Sequence, residues 1–346
     1  MRPLLLAASL TVGLAAPGQA QAETLNLLIW ESYIDQSLLD SWSARTGISV
    51  KQSYYDSGDM RDEMLADPES KADLVVIGEG GGAIFGKRGL LEPLSVETIP
   101  ALESYEPSWR QRCGGYGVPY LWGTMGILYR SDQVTSAPTS WEDLLLPSSG
   151  MRKHIAMYND HSEAFVPALV YLGQSINTND KPVLKAAFEL MKRQAPFVLT
   201  YDYVISSVQD PKLGDRIYMA LGYSGDQKTL NDKTGQKNFW RYAVPKEGTL
   251  SWLDCIAVMA HSPRKALALD LVEFLSQPRQ AAQNAVALRM PVVSQAALAF
   301  VPPAQRGDPE IYPPDEALAR IQFQTELSAQ SIQLRRRIIT AVASFQ

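Results

Sequence analysis

The stretch Asp73-Leu74-Val75-Val76-Ile77, followed by Gly78, reads as a strand buried on both faces. Two earlier segments complete a pattern around it. Leu25-Asn26-Leu27-Leu28-Ile29-Trp30 is an apolar strand, and residues 48–54 form another. A helix lies between them, with Leu38, Leu39 and Trp42 on one face and Gly47 as its stop. Asp56 or Ser57 can cap a second helix that carries Met60 and Met64. Strands that alternate with helices imply a parallel sheet covered by helices on both faces, the α/β class.

Further along, residues 116–120 and 125–129 read as two strand pieces, and residues 141–146 begin a helical region. The period is helical over 160–197, strand-like over 250–259 and helical again over 263–275, where Leu267, Leu271 and Leu275 share a stripe. A proline-rich crossing at 302–314 precedes a last helix expected over 314–342. Arg335-Arg336-Arg337 on that helix reads as a solvated face.

Several function classes drop out on composition. The first 22 residues have the form of a secretory leader: Arg2, an apolar run, then Ala20-Gln21-Ala22 as the cleavage pattern. The mature chain is therefore expected outside the cytoplasm, in the periplasm, with no lipid anchor because no Cys sits at that point. The 346 residues allow about two domains. The formal charge of -5 argues against nucleic acid and mildly favours a cationic ligand. Cys113 and Cys255 are either one disulfide, which an oxidising compartment permits, or two buried thiols. Three scattered His with no Cys/His spacing argue against zinc. There is no G-x-S-x-G, P-loop or H-E-x-x-H, so no catalytic residues, metal or cofactor are expected.

Each candidate site has a bland alternative. Gly78-Glu79-Gly80-Gly81-Gly82-Ala83 formally fits a dinucleotide fingerprint, but its context is poor and Glu79 would repel phosphate. A loop that lets ligand or backbone come close is the better reading. Asp160 and Glu163 look like an acidic capping box, or carboxylates turned toward a cleft. Trp30 and Tyr33 follow a strand end, where ligands of open parallel sheets sit and where aromatic faces can hold an ammonium; alternatively Trp30 fills core. Tyr223 and Asp226 lie just past the apolar strand at 219–221, and Trp252 and Asp254 lie at the start of Cys255-Ile256-Ala257-Val258. The recurrence of aromatic plus carboxylate at strand ends strengthens the binding reading.

Taken in order, Trp30-Glu31-Ser32-Tyr33, Tyr55-Asp56-Ser57, Asp73-Leu74-Val75-Val76, Val118-Pro119-Tyr120-Leu121-Trp122-Gly123, Ser140-Trp141-Glu142-Asp143-Leu144, Pro245-Lys246-Glu247-Gly248 and Trp252-Leu253-Asp254 resemble the spermidine/putrescine-binding proteins of bacterial ABC importers. The resemblance runs over nearly the whole mature chain. It implies the type II periplasmic binding protein fold, two α/β lobes joined by crossing strands, divided as 23–126 plus 254–298 and 127–253 plus 299–346. It also implies a polyamine held between the lobes by Trp30, Tyr33, Trp252 and Asp254 on one side and Asp160, Glu163, Tyr223 and Asp226 on the other. Tyr223 stands where the family usually has Trp. Gly78-Glu79 replaces a usual Pro-Ser, so Glu79 either meets an amine directly or signals a different ligand. The implied protein is a monomer that binds rather than catalyses. It serves an ABC permease or a signalling membrane receptor; a different cationic ligand and an extracytoplasmic enzyme are the remaining alternatives.

Overall fold

The computed structural model describes residues 23–55, 58–67, 69–325 and 327–346. The expected leader at 1–22 and the capping pair Asp56 and Ser57 lie outside the described residues. Among the described residues there are ten strands: β1 (Thr24–Trp30), β2 (Ser49–Tyr55), β3 (Leu74–Gly78), β4 (Val118–Arg130), β5 (Ile155–Ala156), β6 (Val198–Thr200), β7 (Met219–Tyr223), β8 (Trp240–Ala243), β9 (Leu250–Val258) and β10 (Gln322–Phe323). Their order is β2-β1-β3-β9-β4-β7-β5-β6, with β10 beside β9 and β8 beside β4.

The β1–β2, β1–β3, β5–β6 and β5–β7 pairs are parallel, as alternation with helices requires. β9 returns antiparallel between β3 and β4. β4 is one strand of 13 residues, where two pieces were expected. Its first half pairs with β9 and its second half with β7 and β8, so a single strand crosses from one sheet to the other.

Apolar packing follows that division. One cluster gathers Leu25, Trp42, Ile77, Val258 and Leu271 around the first sheet. A second gathers Trp141, Phe165, Leu169 and Leu221 on one face of the other sheet, and Leu128, Ile217 and Trp240 cover its opposite face. The two lobes thus have separate cores. The segment 299–346, expected wholly in the second lobe, is shared. Val301, Tyr312 and Leu318 pack on the first core, and Ile339 and Val342 on the second.

Three other expectations need correction. The run after β3 is a helix, Glu79–Lys87, and not a loop. Its glycines serve contact: a Cβ on Gly82 would lie 2.8 Å from the Cys113 carbonyl oxygen, and one on Gly86 would enter the Tyr116 ring. The expected C-terminal helix is broken into a short turn, Asp315–Leu318, then β10, then Ala329–Ala343. On that last helix Arg336 and Arg337 are exposed, but Arg335 is fully buried. Its Nη2 donates to the carbonyls of Ile176 and Thr178, and its guanidinium lies 5.0 Å from the Phe165 ring centre. Burial pushes its pKa down to about 10.

Cys113 and Cys255 form a disulfide with Cα atoms 6.0 Å apart. It ties the end of the helix Pro107–Arg112 to β9. No helix among the described residues is long and apolar enough to cross a membrane.

Candidate functional site

In the first lobe Trp30, Tyr55 and Gly78 end the three parallel strands, and the Trp30 and Tyr55 rings meet at 4.4 Å. β9 places Asp254 directly opposite Gly78. Beyond β1 the chain turns through Ser32, whose φ of 56° is left-handed, and presents Tyr33. The Tyr33 hydroxyl donates to Asp254 Oδ2 at 2.8 Å. Tyr120 fixes that turn from behind by donating to the Tyr33 carbonyl, while Asn284 donates to the Tyr120 hydroxyl.

Burial pushes the Asp254 carboxyl up to about 6, against the opposing pull of the Tyr33 hydroxyl and the charge of Arg61. Such a group gains from a cation that enters with it. Glu79, the first residue of the helix after β3, lies close enough for Asp254 to act on it. Burial raises its pKa, Arg112 opposes the rise, and the Asp254 charge adds to it. Arg112 Nη1 is 3.1 Å from Glu79 Oε2.

The second lobe repeats the arrangement with different residues. Tyr223 ends β7, and Gly225, with a φ of 100°, turns the chain into the helix Asp226–Thr234. Asp226 accepts from the Tyr203 hydroxyl at 2.6 Å and from the Tyr223 backbone N–H at 2.8 Å. Tyr158, Tyr203 and Tyr223 form a cluster with ring centres 5.6, 5.8 and 6.4 Å apart. The Tyr158 hydroxyl is buried without a hydrogen-bond partner among the described residues. Burial raises Asp226 to about 6. Glu163 rises to about 7 through burial and then the Asp160 charge, opposed by the Tyr223 hydroxyl. Asp160 Oδ1 accepts from the backbone N–H groups of Ser162 and Glu163 at 2.7 Å each, so it caps this turn.

The crossing strand β4 brings the two halves together. Trp252 on β9 is opposite Gly123, and Tyr223 on β7 is opposite Met125, two residues further along β4. A side chain at Gly123 would collide with both the Trp252 ring and the Ser224 hydroxyl. Glycine at that point lets the aromatic wall of one strand touch the turn of the other. The Trp252 indole N–H is buried and has no partner among the described residues.

The structure therefore gathers Trp30, Tyr33, Glu79 and Asp254 in the first lobe and Asp160, Glu163, Tyr223 and Asp226 in the second, with Trp252 at the crossing. Sequence reasoning missed Tyr55, Tyr158 and Tyr203 as site residues, and the cations Arg61 and Arg112. Tyr203 had a signal: it follows β6 as Tyr201-Asp202-Tyr203, the same aromatic and acidic pattern past a strand end. Nothing in the spacing of Arg61 or Arg112 distinguishes them from surface arginines. The arrangement includes two carboxylates, one in each lobe, each accepting from a phenol, with further aromatic rings near each.

Residues 37–307 match the bacterial extracellular solute-binding protein family. The norspermidine sensor of Vibrio cholerae is 34% identical over 325 residues, covering 94% of this chain and 90% of that protein. The putrescine-binding periplasmic protein SpuD of Pseudomonas aeruginosa is 29% identical, with 97% of each chain covered. The spermidine/putrescine ABC transporter substrate-binding protein PotD of Streptococcus pneumoniae shares the fold, with a TM-score of 0.82 at 21% identity over 94% of this chain and 99% of that chain. The match along the chain, the level of identity and the two-lobe architecture agree, and the chain belongs to the bacterial extracellular solute-binding proteins.

Proposed function

We propose that the protein captures a linear polyamine of the putrescine or spermidine type between its lobes, in the periplasm, and passes it or its signal to an inner-membrane partner. The observation that carries this reading is the pair of phenol-capped carboxylates, Tyr33 with Asp254 and Tyr203 with Asp226, one in each lobe. A polyamine is an apolar chain with ammonium groups at fixed spacing, and a complementary site needs carboxylates for its ends and flat walls for its methylenes. Trp30, Tyr223 and Trp252 supply walls in this reading, and Glu163 and Asp160 add negative charge beside Asp226.

A charge-assisted hydrogen bond contributes about 1.5–3 kcal/mol and a cation–π contact about 0.5–2 kcal/mol. A few of each, less the cost of ordering, support affinity in the micromolar range, about -8 kcal/mol. Because the two anchors belong to different lobes, ligand contacts made only in the closed form drive closure as a population shift. The Cys113–Cys255 bridge supports an oxidising compartment.

The partner is an ABC permease in the first reading. A signalling receptor is the second, favoured by the 34% identity to a norspermidine sensor. Isothermal titration with putrescine, cadaverine, spermidine and norspermidine tests the ligand; absence of heat with all four refutes it. Gene deletion separates the partners, since loss of polyamine uptake supports import and unchanged uptake with altered signalling supports sensing.

A further inference from the structure

We propose that Arg112 is a specificity-determining residue: it stays on Glu79 when ligand is bound and leaves Asp254 as the one ammonium anchor of the first lobe. The inference rests on the polyamine reading of this cleft and concerns how many amines each end accepts. Glu79 follows Gly78, the residue paired with Asp254, so it is the nearest second acid at that end. By charge alone it would offer a second amine site, but it already holds a cation.

Several contacts keep that cation in place. The Arg112 guanidinium lies over the Phe323 ring, 3.3 Å from its centre, and 6.0 Å from the Trp109 ring. Phe323 sits on β10, which is paired to β9. The next residue along the chain, Cys113, is bridged to Cys255, which follows Asp254. Arg112 and Asp254 are thus set on either side of one disulfide. An incoming ammonium would have to displace a guanidinium already paired with the carboxylate and stacked on an aromatic ring, and that planar group is the stronger partner for both. The other nearby cation, Arg61, is committed to Asp62 through Nε at 2.9 Å and Nη2 at 2.6 Å. Of the two acids Glu79 and Asp254, only Asp254 is thus left without a cation in direct contact among the described residues. The second-lobe end presents Asp160, Glu163 and Asp226; His161 lies 3.6 Å from Asp160, and the Arg335 charge also acts on Asp160, while neither Glu163 nor Asp226 has a basic partner in direct contact among the described residues. The site is built for a ligand with one primary ammonium at Asp254 and any further amines toward the second lobe.

The test is titration of putrescine and norspermidine, at pH 8, into the unmodified protein, Glu79→Gln, Arg112→Gln and the double variant. Glu79→Gln strips Arg112 of its partner and leaves a bare guanidinium near Asp254, so it is expected to weaken both amines alike and to change their ratio by less than about threefold. Arg112→Gln frees a carboxylate at this end and is expected to raise affinity for norspermidine over putrescine by about fivefold or more. The double variant should return the ratio to that of the unmodified protein. A selective loss of norspermidine over putrescine of about tenfold or more in Glu79→Gln overturns the proposal, since Glu79 would then be an amine anchor. An unchanged ratio in folded Arg112→Gln overturns it as well. If Arg112→Gln fails to fold, Glu79→Gln decides alone. No heat from the unmodified protein with either amine would instead sink the polyamine reading itself.

Discussion

The Tyr33 hydroxyl and Asp254 Oδ2, 221 positions apart in the chain, meet at 2.8 Å. The bond holds a carboxylate that has no basic partner in direct contact among the described residues, and it aims that carboxylate from the centre of the sheet. Removing the charge and removing its holder should differ. Asp254→Ala is expected to lower polyamine affinity at least about tenfold, equivalent to about 1.4 kcal/mol. Tyr33→Phe removes one hydrogen bond, worth about 1 kcal/mol, and should cost roughly fivefold. Titration of both variants checks the order; a Tyr33→Phe variant weaker than Asp254→Ala would mean that the phenol, and not the carboxylate, is the anchor.

Trp252 makes a different contribution. Its ring occupies the space that a side chain at Gly123 would need, and so lies where the two halves of the site meet. Trp252→Ala removes a wall and opens the crossing strand, and is expected to weaken polyamine binding at least about tenfold. The Trp252→Phe variant should recover part of the loss, because a flat face is restored while the indole N–H is not. Equal loss in both would point to the indole N–H as a ligand contact.

Proton linkage gives a prediction with two opposite signs. Asp254 and Asp226 are raised from 3.8 to about 6, and Glu163 from 4.5 to about 7. Between about pH 4 and 7 the empty folded protein thus binds more protons than the unfolded chain, and these groups make its stability fall as pH rises. Their stabilising effect is fully lost above the folded-state values. Ligand affinity runs the other way, because an ammonium needs the charged form. The empty protein should melt higher at pH 5 than at pH 8, as far as these three groups decide it, while putrescine binds at least about tenfold more weakly at pH 5. Titration in two buffers of different ionisation heat near pH 6.5 should reveal proton release on binding. Affinity independent of pH from 5 to 8 would place the ligand away from these carboxylates.

Much of this site is legible in the sequence because strand ends are. Leu25 to Trp30 and Leu74 to Ile77 are short apolar runs, and in a parallel sheet the residues just beyond such runs are where a ligand is met. Trp30, Tyr33, Tyr223 and Asp226 are proposed as site residues on that ground. Other features depend on tertiary contact that local pattern does not carry. Glu79–Lys87 has four glycines inside it and low intrinsic helix preference. Glycine stands at 81, 82 and 86 because Ile77, Cys113 and Tyr116 leave no room for larger side chains, a tertiary reason that the local pattern does not carry. β4 reads as two pieces because Pro119 and Gly123 interrupt its pattern, yet the register shifts at 119–121 and the strand continues. Arg335 was recoverable: Ser331, Arg335, Ile339 and Val342 lie at helical spacing, and all four are buried.

The disulfide offers the last prediction. Cys113 and Cys255 are separated by 142 positions, and the bridge joins the helix that ends in Arg112 to the strand that carries Asp254. A cross-link over so long a loop restricts the unfolded chain and stabilises the fold by about 2–4 kcal/mol. At roughly 2–4 °C per kcal/mol, the Cys113→Ser/Cys255→Ser variant should melt about 5–15 °C lower. Both cysteines are fully buried, so their replacement also leaves two hydroxyls in apolar surroundings; a Cys113→Ala/Cys255→Ala variant separates that cost from loss of the bond. Binding should respond as well. With the tether gone, Arg112 and Asp254 are no longer held on facing elements by a covalent bond, and polyamine affinity should fall by about threefold or more in the alanine variant at a temperature where it remains folded. An alanine variant that melts lower but binds with unchanged affinity would confine the disulfide to stability and leave the alignment of the first-lobe end to the Gly78–Asp254 strand pairing alone.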